Sequence, residues 1–169
     1  MSTAISKALF ARLSGAESLT GEAAASQSAL AGLLAADPDT GLPAVYLGNK
    51  NTAQSRDSNG NPHPIVPCIT FRPSGGSVDR RFIQDTGVVE SVLYDFEIWE
   101  SSPSGTRITD IAECVERLLD SRRGVVSGLN LESGKVFAFQ AFSPLAILYD
   151  AEIHAWAGLI RYEFLELRS

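Results

Sequence analysis

The chain is 169 residues long, 44% hydrophobic and 20% charged, with a formal net charge of −6. A domain of that size buries about 70% of its unfolded surface, so one self-sufficient core is expected, and the composition is neither disordered nor fibrous. The acidic surplus, 20 Asp and Glu against 14 Lys and Arg, argues against a general nucleic-acid binder, which needs basic groups for phosphate, and fits a protein whose partners are proteins.

Residues 3 to 13 place Ile5, Ala8, Leu9, Ala11 and Leu13 at helical spacing, with Lys7 and Arg12 outward and Ser14-Gly15 as the stop. A weaker, Ala-rich helix is expected from Gly21 or Glu22 to Ala36, with Leu30, Leu33 and Leu34 as its apolar patch and Asp37-Pro38 ending it. Pro43 to Leu47 reads as a brief strand. The stretch 48–64, GNKNTAQSRDSNGNPHP, holds almost nothing that can be buried and reads as an exposed loop. Long polar loops in compact domains are often functional, although a tolerated surface insertion is the alternative.

Ile65 to Arg72 reads as a strand, with Pro67 suggesting an edge or an irregular start. Pro73-Ser74-Gly75-Gly76 is expected as a turn, and 77–87 as a second polar excursion. Val88 to Glu100 is the clearest strand: Val88, Val92, Tyr94, Phe96 and Ile98 share one face, with Ser91, Asp95 and Glu97 on the other. The best helix follows at about 107–122, where Ile108, Ile111, Ala112, Val115, Leu118 and Leu119 fall on one stripe. Thr106 is placed to cap it, Glu113 and Arg117 to pair along it, and Arg122, Arg123 and Gly124 to end it.

Val136 to Phe142 is a Phe-rich strand. Residues 151–167 carry either a helical stripe (Ile153, Trp156, Ala157, Ile160, Phe164, Leu167) or a strand alternation (Ile160, Tyr162, Phe164). Their aromatic and β-branched content favours the strand, with a bulge before Leu165. Helices flanking and interrupting a run of strands imply an α+β domain with a mostly antiparallel sheet packed against helices.

Reactive groups are sparse. Cys68 and Cys114 read as small apolar core residues of a chain in a reducing cytosol, with a disulfide between them as the alternative. Residues 1–14, interrupted by Lys7 and Arg12, do not form a signal peptide, and no stretch approaches the ~20 apolar residues of a membrane span; a soluble, cytoplasmically made protein is expected. His63 lies between two prolines in the polar loop, and His154 falls in the terminal strand. Neither has the neighbours of a catalytic base or a zinc site. No nucleophile elbow, His-Glu-x-x-His or phosphate loop occurs. Ser74 to Ser77 is more a hairpin turn than an anion cradle, and Asp150 and Glu152 more a solvated pair than an acid/base dyad. No enzymatic role, cofactor or metal is expected. Arg80-Arg81 and Arg122-Arg123 read as rim contacts or helix-end charges.

Three segments carry a resemblance. The opening ISKALFARLSG, the strand–turn–helix YDFEIWESSPSGTRITDIAECVERLLDSR and the closing VFAFQAFSPLAILYDAEIHAWAGLIRYEFLELR together resemble the tail-terminator (tail-completion) family of tailed bacteriophages. The likeness runs over most of the chain as a pattern, without a catalytic signature. It implies terminal antiparallel strands over 151–167. The stretches 22–36 and 48–64 are longer than the family pattern. The resemblance also implies a virion protein of the tail and neck that forms a ring, typically a hexamer, on the last ring of the tail tube protein. There it stops polymerisation and presents a surface to the head–tail connector, with the sheath protein as a further partner if the tail contracts.

On that reading 49–64 and 77–87 order on assembly, the candidate interface residues are Asn51, Arg56, Asp57, Arg80, Arg81, Arg122 and Arg123, and the acidic surplus faces the channel so that DNA passes without sticking. The rival readings are another neck or head–tail stopper protein and, from a different class, a small hydrolase or ligand-binding domain around His154.

Overall fold

The computed structural model describes the chain except for residues 1, 50–52, 57, 76–80, 83–87, 103–104, 121–127, 132–133, 141–144, 153 and 169. Its order is α1 (Ser2–Ser14), α2 (Gly21–Leu33), β1 (Val45–Leu47), β2 (Gln54–Arg56), β3 (Pro62–Pro64), β4 (Cys68–Gly75), β5 (Arg81–Phe82), β6 (Val88–Glu100), α3 (Thr106–Leu119), β7 (Leu129–Leu131), β8 (Gly134–Gln140), β9 (Ala146–Asp150) and β10 (Ala155–Arg168).

The expected α+β class is the one observed. The strand order is β1-β4-β6-β10-β8-β7, with β5 added to β6 and β9 to β10. Among the described residues only β1 pairs in parallel, with β4; β4, β6 and β10 alternate in direction. Strands β6 and β10 form the backbone of the sheet, paired without interruption from Trp156 opposite Glu100 to Arg168 opposite Val88.

Alternation along β6 and β10 gives the sheet two different faces. Tyr94, Phe96, Ile98, Ile160, Tyr162 and Phe164 are buried with Ile5, Leu9 and Leu13 of α1 and the stripe of α3 in the main core. Their rings meet edge-on across the strands, Tyr94 on Phe164 at 5.3 Å and Phe96 on Tyr162 at 5.5 Å, an arrangement favoured by the ring quadrupole. Gly158 on this face admits α3, because a Cβ there would run into Ile108 Cγ2 and stand 3.0 Å from Leu145 Cδ1. On the opposite, outer face a smaller cluster gathers Ala44, Ala53, Cys68, Trp99 and Ala155.

Several expectations need correction. Arg12 does not point outward; it is 2% exposed. Its guanidinium holds Glu17 by two bonds, Nε to Oε2 at 2.7 Å and Nη2 to Oε1 at 2.8 Å, and a third donor reaches the carbonyl of Leu118 at 3.4 Å. A buried charge is tolerable only when paired in this way. The polar stretch 48–64 is not free of structure or of buried groups: β2 and β3 form a separate two-stranded sheet. Ala53 is buried beside it in the outer cluster, where Trp99 and the flanking Ile65 and Val66 offer apolar contact that polarity alone did not reveal.

Pro67 marks an irregular start but not an edge, since β4 begins one residue later and pairs on both sides, with β1 and β6. The turn expected at Pro73 is instead a continuation of β4 to Gly75, with a register shift between Pro73 and Gly75. Strand β1 reaches only as far as Phe71, so the missing N–H of Pro73 falls where β4 has become an edge. Gly105, not Thr106, caps α3: its φ of 63° is left-handed, and its carbonyl accepts the Thr109 N–H at 3.2 Å. The helix ends at Leu119 with Asp120 as its C-cap; Arg122, Arg123 and Gly124 lie outside the described residues. Helix α2 stops at Leu33. In β10 the expected bulge is absent, because pairing with β6 and β8 keeps one register through Leu165, which simply turns to the outer face, half-buried.

Candidate assembly surface

Of the candidate interface residues, Arg56 and Arg81 are among the described residues. Arg56 ends β2 and donates Nη1 to the carbonyl of Gly60 at 2.8 Å, closing its own hairpin turn. Arg81 pairs through its backbone with Val89 in the main sheet, so the two belong to different sheets. Asn51, Asp57, Arg80, Arg122 and Arg123 lie outside the described residues. Of the histidines, His63 sits in the β2–β3 hairpin. His154 is not in the terminal strand but in the turn before it, at φ 51°, with Nδ1 3.3 Å from the Tyr149 hydroxyl. Among the described residues no three His, Cys, Asp or Glu side chains group as metal ligands. No helix in that set is long and apolar enough to cross a membrane. Cys68 and Cys114 are both buried as free thiols, one in each cluster.

What the structure does bring together is on the outer face. Register places Cys68, Trp99, Ala157 and Leu148 in one row across β4, β6, β10 and β9, and Thr70, Glu97, Leu159 and Ala146 in the next. Between these rows lies a groove of about 360 Å³ bordered by Asn49, Arg72, Glu97, Trp99, Leu148 and Leu159. A chain of polar contacts runs along its floor. Trp99 Nε1 donates to the Thr70 hydroxyl at 3.3 Å, that hydroxyl donates to Glu97 Oε2 at 3.3 Å, and Arg72 Nη2 reaches Glu97 Oε1 at 3.4 Å. Burial, and then the neighbouring Glu97 charge, push the Cys68 thiol up to about 12, so it stays protonated and inert. Deeper along the sheet Arg161 grips Asp95 with two bonds of 2.6 and 3.0 Å.

The apolar rim of this groove is open. On the outer face Leu148 is 66% exposed and Leu159 39%, while on the helix side of the same edge strand Tyr149 is 50% exposed and Ile147 36%. Tyr149 is braced by Trp156, ring centroids 5.2 Å apart. A surface of this kind, an open apolar rim around fixed polar groups, suits protein contact. Polarity and loop length pointed to 48–64 and the arginine doublets; the signal missed was Ala146 to Tyr149, an unbroken apolar run that reads as core but lies in the exposed edge strand β9.

No family model matches the chain, and no curated protein does. Among solved structures, a chain from the virion of a native gene transfer agent (GTA) particle is similar, with a TM-score of 0.46 and 12% identity over 72% of this chain and 77% of that one.

Proposed function

We propose that this chain is a structural virion protein of a tailed bacteriophage, a tail terminator that acts through surfaces shared with other subunits and not by catalysis. Copies form a ring, six in number on the family pattern, that seats on the head-proximal end of the tail tube, ends its polymerisation and receives the head–tail connector. The sequence resemblance over the first helix, the β6–α3 unit and the closing strands supports the family. The observation that carries an assembly role is the β9 edge, where Leu148 stands in solvent beside the outer-face groove with its ordered polar floor and Tyr149 stands in solvent on the helix side. Water-exposed apolar side chains grouped in this way lower the free energy of the chain when a partner covers them. The acidic surplus faces the channel and repels the phosphates of passing DNA.

Loss of the protein from an infected cell tests the role. Particles with overlong tails are the expected outcome. Tails of normal length beside tailless, DNA-leaking heads would contradict it and point to a neck stopper instead.

A further inference from the structure

Taking the ring reading as its basis, we infer that neighbouring copies join by strand addition, β9 of one copy pairing antiparallel with β1 of the next. These strands occupy opposite sides of one sheet, whose order runs from β1 through β4, β6 and β10 to β9. Among the described residues no strand pairs with the outer side of either. The Ala44 carbonyl and the Gly48 N–H bond to β4, so alternation turns the N–H and C=O of Val45 and Leu47 away from it, toward the open side.

Direction follows from the pairing inside the subunit. Strand β1 is parallel to β4 and therefore antiparallel to β6. Strand β9 is antiparallel to β10, which is antiparallel to β6, so β9 runs with β6 and against β1. A neighbour that continues the sheet head to tail thus presents β1 antiparallel to β9, the pairing that dominates this sheet. The faces agree as well. Leu47 would join Ile147 and Tyr149 on the helix side, and Tyr46 would join Ala146 and Leu148 on the outer side, as cross-strand neighbours that stabilise a sheet.

Composition separates these edges from ordinary ones. Edge strands are normally blunted by Lys, Pro or an inward-pointing charge, yet β1 holds none and β9 carries a charge only at its last residue, Asp150. The large hydrophobic side chains at least half exposed among the described residues are Leu47, Leu148 and Tyr149, all three on these two edges. Two different patches, one per side, make a heterologous contact, the kind that closes into a ring and cannot stop at a pair. This commits the β9 edge to a second copy of the chain.

Two single variants of the full chain test the inference, Leu47→Glu and Leu148→Glu. Both sites are exposed, so unchanged circular dichroism and melting should verify folding before assembly is read. Each variant alone should be monomeric by native mass spectrometry, in solution and when released from tail tubes. An equimolar mixture should give a dimer and nothing larger, because one intact β1 edge and one intact β9 edge remain. Rings from either variant, or a mixture that stays monomeric, would overturn the β1–β9 contact while leaving the ring itself standing. A wild-type chain that forms no ring in solution or on tubes would instead remove the ring reading on which the contact rests.

Discussion

Gly158 of β10 sits directly beneath Ile108 of α3, close enough that a Cβ at that position would enter the isoleucine side chain. The glycine therefore sets how near the best-formed helix lies to the sheet, and its backbone sits in the ordinary range, so sterics alone decide the outcome of substitution. Gly158→Ala should lower the unfolding free energy by about 1–3 kcal/mol, the usual cost of overpacking, and Gly158→Val by more. Urea denaturation measures this; an alanine variant as stable as the wild type would show that α3 packs further from β10.

Arg12 couples α1 to the loop that follows it and to the end of α3. Removing the guanidinium leaves the Glu17 carboxylate partly buried without its partner, so Arg12→Met should destabilise by about 2–3 kcal/mol, below the about 3–5 kcal/mol of a fully buried broken pair because Glu17 keeps some solvent. Adding Glu17→Gln should recover part of that loss. A double-mutant cycle with coupling of about 1 kcal/mol or more is expected, and strict additivity would contradict the pairing.

Acid stability should depend on Asp37. The Tyr46 hydroxyl, donating to Asp37 Oδ2 at 2.7 Å, is the largest cause holding the carboxyl below its ordinary value of 3.8, with Thr40 adding to it. A depressed folded pKa means a contribution fully present above the ordinary carboxylate value and lost as pH falls through the folded one. Tyr46→Phe should flatten this acid-side loss, read as the pH dependence of the denaturation midpoint. An unchanged acid limb would show that Tyr46 does not hold the charge.

On the alkaline side the sign reverses. Cys68 is pushed from 9.0 up to about 12, so above about pH 9 the folded state keeps a proton that the unfolded chain releases, and stability falls as pH rises toward 12. Cys68→Ala should be offset by a small cavity cost at neutral pH yet lose less between pH 9 and 11 than the wild type. A thiol reagent should label Cys68 only on unfolding; rapid labelling of the native protein at that residue would contradict its burial.

Much of the fold was legible because particular segments carried agreeing signals. In α3 the stripe from Ile108 to Leu119 matched the helical period, and in β6 Tyr94, Phe96 and Ile98 matched the strand period, so both elements fell within a few residues of expectation. Arg12 was misread because a charge on a helix normally faces solvent, and only the tertiary arrival of Glu17 and the Leu118 carbonyl makes burial affordable. The candidate assembly surface was the least legible part. Leu148 and Tyr149 are as apolar as any core residue, and what places them in solvent is the lack of a further strand beyond β9 among the described residues, a property of topology and not of local sequence.

Native mass spectrometry of the purified protein, alone and with tail tubes, bears most directly on a role exercised between copies. The expected species is a closed oligomer of 18.1 kDa chains, six per ring, that also appears at one end of the tubes under the electron microscope. A single chain that stays monomeric at every concentration and leaves tube ends bare would contradict that role.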